Sequence, residues 1–261
     1  MTTLFAEEFS TQVLARFDTL QNPLVLKSRS LGEALQTGHP MYDRLAVGQR
    51  QSCEMASVFL DLTNFTGRTF WDEPGQVADL AHAVLSGFTG IVHRLGGHVL
   101  GLRGDGLFAG FGPHNDPRVA VALAALASAA SLDAIQNGLN PALKLRGLQP
   151  VQARAGCDYG DAVFMRTGTD QVSEINVIGF ASNFAAKCEK VALSWEMVIG
   201  ERFAEYVRNA TLLTHHERSP KTYTRYGEDR QYKFFDYKWR PLLPELESTI
   251  AELSGRALET V

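Results

Sequence analysis

Two aspartates in this sequence have the surroundings of metal ligands. Asp61 lies near the end of the apolar run from Met55 to Leu62, and Asp105 occupies the centre of the turn Gly104-Asp105-Gly106. Carboxylates at a strand end beside a glycine-rich turn suit hard divalent cations such as Mg²⁺ or Mn²⁺. Taken alone, each aspartate is better explained by structure, Asp61 as a helix cap and Asp105 as a turn residue. Together they predict a cation site.

The elements around these aspartates follow from hydrophobic spacing. The run from Met55 to Leu62 predicts a buried strand, and residues 72–95 show helical spacing that ends at Gly96-Gly97. The segment HVLGLRGDGLFAGFG predicts two short strands around a tight turn. The turn after Asp61, residues 62–67, offers successive backbone N–H groups to phosphates.

The second half of the chain again alternates predicted helices and strands. Residues 116–139 predict an apolar helix, and residues 151–159 and 162–166 predict strands joined by a turn at Gly160-Asp161. A strand over 174–178 and a helix over about 180–191 follow. Residues 222–226 are predicted to pair with 232–237. The order β-α-β-β-α-β predicts an α+β, ferredoxin-like (split βαβ) fold, with an antiparallel-rich sheet and helices on one face. Asp61 and Asp105 converge in such a sheet.

Composition excludes several classes of protein. The 25 Lys and Arg residues against 29 Asp and Glu residues make a net charge of −4, which excludes nucleic-acid binding through bulk positive charge. The uncharged apolar run from Val119 to Leu132 is shorter than the roughly 20 residues of a membrane span, so a buried helix is predicted. The acidic N-terminal segment and three scattered cysteines predict a cytoplasmic protein without a zinc site.

The chain divides into three predicted parts. Residues 1–50 are predicted to form an N-terminal helical leader, because Phe5, Phe9, Val13 and Phe17 recur at helical spacing. Residues 51–240 contain the candidate site and are predicted to be the catalytic domain. Residues 241–261 predict a terminal amphipathic helix.

Four motifs, in order, resemble the class III nucleotidyl cyclases. They are FLDLTNFTG, FTGIVHRLGGHVLGLRGDGLFAGFG, RAGCDYGDAVF and NVIGFASNFAAKCEKV, and the resemblance covers about residues 53–240. It implies a homodimer with composite active sites at the subunit interface. One chain supplies the ligands of two divalent cations, Mn²⁺ or Mg²⁺, and its partner supplies base-reading and transition-state residues.

The resemblance assigns roles to individual positions. Asp61, Asp105 and the backbone carbonyl of Leu62 match the metal ligands, and Phe65 with Thr66 match the turn that holds the triphosphate. These positions fall in the first two motifs. They imply that the cations and the triphosphate share one end of the sheet.

Three further positions match residues that contact phosphates and ribose. Arg154 matches an arginine on the terminal phosphates, while Asn183 and Lys187 match the helix Asn and Arg that orient the ribose and stabilise the α-phosphate. Lysine keeps the charge of arginine but loses its planar fork. The alternatives are a surface strand residue for Arg154 and a solvated helix face for the other two. Arg225 is the candidate for the family's additional C-terminal lysine.

The base pocket departs from both purine patterns. Adenylate cyclases are similar to one another in a lysine and an aspartate at the positions of Gly101 and Asn176, and guanylate cyclases have Glu and Cys there. Arg103 is two residues from Gly101 and therefore on the same face of the strand. Its donors suit the O2 and O4 acceptors of uracil, and Asn176 suits uracil or cytosine. A surface role for Arg103 is an equal alternative.

This combination resembles the pyrimidine cyclases of bacterial Pycsar anti-phage systems. The resemblance implies that UTP is converted to cyclic UMP, with CTP to cyclic CMP as the next expectation, and that a separate effector protein senses the product. Neither nucleic acid nor a membrane span is expected as a partner. The alternatives are a purine cyclase with an unorthodox pocket and a catalytically dead binding module. A diguanylate cyclase is excluded, because its GGDEF signature is replaced by RGDGL.

Overall fold

The computed structural model describes residues 3–20 and 37–258, with side chains as far as residue 252. The strands are β1 (Arg50–Thr63), β2 (His98–Arg103), β3 (Gly106–Phe111), β4 (Gln152–Gly168), β5 (Ser173–Ile178), β6 (Met197–Gly200), β7 (Leu213–His215), β8 (Lys221–Arg225), β9 (Glu228–Tyr232) and β10 (Phe234–Tyr237). The helices are α1 (Leu4–Leu20), α2 (Phe65–Trp71), α3 (Pro74–Arg94), α4 (Pro117–Asp133), α5 (Asn140–Leu145), α6 (Phe180–Val191), α7 (Glu201–Glu205) and α8 (Leu243–Leu258).

A single mixed sheet organises these elements. Its strand order is β2-β3-β1-β4-β6-β10-β7, with β5 paired to β4. The β4–β6 pair is parallel and the other pairs are antiparallel. This arrangement confirms the predicted α+β class with an antiparallel-rich sheet.

Helices cover both faces of the sheet, so the prediction of helices on one face is wrong. The even-numbered side chains of β1, such as Val58 and Leu60, pack in the main core with α3 and α4. The odd-numbered residues Phe59 and Asp61 point to the opposite face, because successive strand residues alternate. There α6 packs over β4 at Gly156. The spacing within a helix does not indicate which sheet face the helix covers.

β4 is one continuous strand, so the predicted turn at Gly160-Asp161 is wrong. The ladder to β1 continues through the pairs Met55–Gly160 and Glu54–Asp161. Gly160 has φ 151°, a conformation that other residues rarely adopt, and the strand runs on without reversing. The reversal into β5 comes later, where the Thr169 N–H donates to the Val172 carbonyl.

The predicted pairing of residues 222–226 with 232–237 is also wrong. β8 pairs with β9, and β10 instead joins the main sheet between β6 and β7. Tyr226 (φ 52°) and Gly227 (φ 79°) form a two-residue turn with positive φ, which is typical of a tight hairpin. The returning strand therefore begins at once, at Glu228.

Among the described residues, only the helical segment Pro117–Leu145 is long and apolar enough to cross a membrane. Its most apolar window has a mean hydropathy of 1.7 and is 83% buried inside the protein. A π-helical turn at Ala134–Leu139 joins α4 to α5 within this segment. The segment is the buried central helix of the core, as the sequence predicted.

The helix α1 is packed against the core. Phe5, Phe9, Val13 and Phe17 are buried, as their spacing predicts. The remainder of the predicted leader lies partly outside the described residues, at 21–36. From residue 37 the chain returns to the sheet, where His39 Nε2 lies 2.9 Å from the Gly112 carbonyl oxygen and the Tyr42 and Phe164 rings stack at 4.0 Å.

Substitutions at two glycines of α3 would test how α1 packs against it. A Cβ added at Gly87 would lie 3.0 Å from Val13 Cγ2 and closer still to the buried Phe9 ring, whereas Gly90 faces open space. We expect Gly87→Ala to lower the free energy of unfolding by about 1–3 kcal/mol through overpacking. The matched Gly90→Ala variant should raise it by about 0.5–1 kcal/mol, the ordinary helix propensity gain. Urea unfolding measures both, and equal effects would contradict this packing.

Candidate active site

The structure brings Asp61 and Asp105 to one end of the sheet. Asp61 pairs with Gly106 across the β1–β3 ladder, and the Leu62 N–H donates to the Asp105 carbonyl oxygen at 3.3 Å. Both aspartates line a cavity of about 710 Å³, here called the aspartate cavity. Its walls are Asp61, Leu62, Thr63, Asn64, Phe65, Thr66, Gly67, Asp105, Arg154, Ala192, Leu193 and Ser194. The three predicted metal ligands and the three residues predicted for the triphosphate turn and the terminal phosphates therefore surround one space.

A single left-handed residue makes the turn after β1. Asn64 has φ 59° and directly precedes α2, so the chain passes from strand to helix without a longer loop. The buried Phe65 ring anchors this turn in the core, and the exposed Thr66 follows it. The turn thus lies beside both aspartates at a fixed position.

Arg154 bridges two carboxylates at the wall of the aspartate cavity. Its Nε and Nη2 donate to Asp61 Oδ2 at 3.0 and 2.8 Å. The same Nη2 lies 2.6 Å from Glu189 Oε1, an oxygen with no partner in hydrogen-bonding geometry. Burial, and then the negative charge of Asp61, raises the pKa of Glu189. In this structure, then, one guanidinium compensates two mostly buried acids.

Glu189 is a site residue that the sequence analysis missed. It reaches Arg154 because α6 lies directly on β4 at Gly156, where a Cβ would collide with the backbone of Ala185 and Glu189. A signal was available in the sequence: Ala185 and Cys188 mark the buried face of α6, and Glu189 is an acid beside them. A buried acid calls for a charged partner.

The donor set of the aspartate cavity fits a hard divalent cation. Burial, followed by the charge of Asp61, raises the pKa of Asp105, so these carboxylates lie in a setting where added positive charge is favourable. Asp61, Asp105 and the Leu62 carbonyl would hold the cation. Among the described residues no group of three His, Cys, Asp or Glu side chains forms a metal cluster.

The predicted base-reading residues line a second, larger space. This hairpin groove, of about 1020 Å³, is bordered by Gly101, Arg103, Asn176 and Asn183, and Asp61 lies on its wall as well as on that of the aspartate cavity. Gly101 and Arg103 pair with Phe108 and Gly106 of β3, beyond a bulge that follows Val99. They therefore share a strand face, as predicted.

Three further residues shape the hairpin groove. The Phe59 and Phe108 rings, cross-strand partners, stack on each other at 4.5 Å and give the groove an apolar wall. Glu174 of β5 also lines the groove, and its carboxylate lies 3.8 Å from Arg103 Nη2 in a solvent-exposed pair. Such a pair is weak, so the Arg103 donors remain accessible to a ligand.

Lys187 and Arg225 are not among the residues that line these spaces. Lys187 Nζ donates to the Tyr223 hydroxyl at 3.2 Å, one helical turn from Asn183. The Arg225 guanidinium lies 4.9 Å from the centre of the Tyr226 ring. Within one chain the two predicted α6 residues therefore have different environments. Asn183 borders the hairpin groove and Lys187 contacts the β8–β9 hairpin.

Comparisons with known proteins place this geometry among nucleotide cyclases. No protein-family model matches the sequence. A cytidylate cyclase from Staphylococcus aureus is 26% identical over 158 residues, which are 59% of this chain and 37% of that protein. The chain thus matches little more than a third of this relative's length.

Solved structures show the same fold. The adenylyl cyclase CyaB from P. aeruginosa has a TM-score of 0.63 at 18% identity, over 72% of this chain and 95% of that one. The guanylate cyclase domain of RhGC from Catenaria anguillulae, in complex with GTP, has a TM-score of 0.56 at 15% identity, over 71% and 97%. The fold is that of the class III nucleotidyl cyclases.

The pairing of Arg154 with both Asp61 and Glu189 leads to a prediction about protein stability. Arg154→Met leaves Asp61 and Glu189 without their cation, so we expect the free energy of unfolding at pH 8 to fall by about 1–3 kcal/mol. Adding Glu189→Gln should restore part of the loss, because one buried charge is removed. The control is Arg118→Met, which breaks an exposed pair with Asp116 and should cost less than about 0.5 kcal/mol. Losses of the same size in both single variants would refute the shared role.

Proposed function

We propose that this chain, whose fold is that of the class III nucleotidyl cyclases, converts a pyrimidine nucleoside triphosphate to its 3′,5′-cyclic monophosphate and pyrophosphate. The observation that carries the proposal is that two spaces sort the predicted residues by role. The aspartate cavity brings together Asp105, Arg154 and the turn at Thr66, while the hairpin groove brings together Arg103 and Asn176. We infer that the triphosphate binds in the aspartate cavity and that its base is read by a hairpin groove, which in the composite site belongs to the partner subunit.

The reaction needs alignment and charge compensation rather than a covalent nucleophile. The ribose 3′-oxygen bonds to the α-phosphorus, the bond from that phosphorus to the bridging oxygen of the β-phosphate breaks, and the 3′-hydroxyl proton is lost to solvent. Divalent cations held by Asp61, Asp105 and the Leu62 carbonyl would supply charge neutralisation at the triphosphate and acidify the 3′-hydroxyl. Asn183 orients the ribose and Lys187 compensates the charge at the α-phosphate.

In this proposal Arg154 exchanges one anionic partner, Asp61, for another, the terminal phosphates of the substrate. In the structure described here it pairs with Asp61 and Glu189. The predicted role on the terminal phosphates requires its guanidinium to leave Asp61 while Glu189 keeps it at the cavity wall. Asp61 is then free to bind a cation. This exchange keeps the number of unpaired buried charges low at each stage.

The identity of the base rests on Arg103 and Asn176. Gly101 contributes no side chain to the groove. The purine-reading residues are therefore replaced by Arg103, which only donates hydrogen bonds, and Asn176, which both donates and accepts them. UTP is the proposed substrate, because Arg103 only donates hydrogen bonds and uracil presents two carbonyl acceptors, O2 and O4. CTP is the alternative, which the cytidylate cyclase relative favours. The Phe59–Phe108 pair offers an apolar contact to either base.

We also propose that the active protein is a cytoplasmic homodimer. Lys187 lies away from the spaces that Asp61 lines, although the reaction needs both residues at one substrate. A second copy that presents its own α6 to the aspartates would complete the site. The cyclic product would then act as a second messenger for a separate effector protein in anti-phage defence.

The first test separates pyrimidine from purine chemistry. The pure protein is incubated with ATP, GTP, CTP and UTP plus Mn²⁺, and products are resolved by mass. We expect cyclic UMP foremost, and at least 100-fold less product from Asp61→Asn and Asp105→Asn, which lose a cation ligand. Asp161→Asn, at an exposed position, is the matched control and should retain activity. A purine product alone supports the purine cyclase alternative, and no product supports the binding module.

The second test addresses the composite site. Asp61→Asn and Lys187→Met should each be nearly inactive alone. After subunit exchange, a mixed dimer contains one site with both intact residues, so we expect about a quarter of wild-type activity from a statistical 1:1 mixture. Exchange is verified separately with differently tagged subunits. Verified mixing without recovery of activity would contradict a shared site.

A further inference from the structure

The small β8–β9 hairpin, which lies outside the main sheet, contacts the side chain of Lys187. The Tyr223 hydroxyl of β8 accepts a hydrogen bond from Lys187 Nζ at 3.2 Å. The ammonium group also lies 5.1 Å from the centre of the Tyr223 ring, within cation–π range. A single tyrosine therefore contacts this cation in two ways.

The hairpin itself is fastened to the body of the protein through its other strand. The Tyr232 hydroxyl of β9 donates to Asp158 at 3.1 Å and accepts from the Arg202 N–H at 3.1 Å. Asp158 is completely buried beneath Gly200, where a Cβ would strike its carboxylate. A buried carboxyl group with a tyrosine partner is a strong fastening point, because loss of the bond removes one of the few hydrogen bonds that compensate its burial.

The same hairpin packs against the helix that carries Lys187. The Tyr232 ring contacts Phe180 and Phe184 of α6, with ring centres 4.7 and 4.6 Å apart. The Tyr223 ring is 5.9 Å from Phe180. Tyr223 and Lys187 are thus held on two elements whose relative position is set by this aromatic cluster.

We propose that Tyr223 is a positioning residue for Lys187, which it holds in one direction above α6. The inference rests on the proposed function, in which Lys187 compensates charge at the α-phosphate. Lysine has a flexible stem and a point charge, unlike the planar arginine of the related cyclases, so its direction must come from a neighbour. Tyr223 supplies that direction through its hydroxyl oxygen and its aromatic ring. Less side-chain conformational entropy of Lys187 is then lost when the transition state forms.

The test is a double-mutant cycle. Tyr223→Phe removes only the hydroxyl, and we expect kcat to fall about 3- to 10-fold while KM changes less than about twofold. In a Lys187→Met background the same substitution should change the residual rate by less than about 1.5-fold. Tyr226→Phe, which removes an exposed hydroxyl from the turn of the same hairpin, is the matched control and should leave kcat unchanged. Equal losses from Tyr223→Phe in both backgrounds would overturn the proposal.

A second readout does not depend on catalysis. In protein labelled with ¹³Cε-lysine, the Lys187 signal is assigned by its loss in Lys187→Met. The ring-current contribution of Tyr223 to this signal should disappear in Tyr223→Leu and persist in Tyr226→Leu. An unchanged Lys187 signal in Tyr223→Leu would overturn the positioning role. If the wild-type protein shows this ring-current contribution but cyclises no nucleotide, the proposed function fails while the Tyr223–Lys187 contact stands.

Discussion

The antiparallel pairing of β1 with β4 is the constraint on which the rest of the structure depends. It runs without a break from the pair Arg50–Met165 to the pair Thr63–Gln152, and it places Asp61 directly opposite Arg154. A slip of one residue would turn every side chain of one strand to the other face and separate these two groups. Such a slip would also expose the row from Ala56 to Leu62 that the main core buries. Core packing and site geometry therefore select the same register.

Charge compensation links that register to the helix on the other side of the sheet. Arg154 balances Asp61 from the neighbouring strand and Glu189 from α6, and α6 approaches closely only because Gly156 has no side chain. A site that attracts cations concentrates negative charge, and this charge needs a counterion when no cation is bound. The bridging guanidinium fulfils that requirement within the protein. In the proposed reaction the same guanidinium leaves Asp61 and compensates the negative charge of the terminal phosphates.

Three parts of the chain must be brought to the sheet for the site to be complete. The β2–β3 hairpin carries Asp105 and Arg103, β5 carries Asn176, and the β8–β9 hairpin contacts Lys187. The first is joined to β1 by a continuous ladder, whereas the last is attached through the buried Tyr232–Asp158 bond and aromatic contacts. The residues assigned to the cations and the base are thus carried by the main sheet, whereas Lys187 lies on α6 and is contacted by the separate β8–β9 hairpin.

Local sequence determined most of the elements and the convergence of the aspartates. Apolar runs and glycine turns indicated β1, the β2–β3 hairpin, α3 and α6, because hydrophobic periodicity and turn chemistry act over a few residues. Tertiary structure decided what depends on distant partners. β4 continues through Gly160 because β1 offers it a ladder, α6 covers the second face because Gly156 admits it, and Glu189 enters the site as a consequence. Lys187 contacts Tyr223 and does not border the hairpin groove with Asn183 for the same reason. Tyr223 is 36 residues away in the chain, beyond the reach of any local sequence pattern.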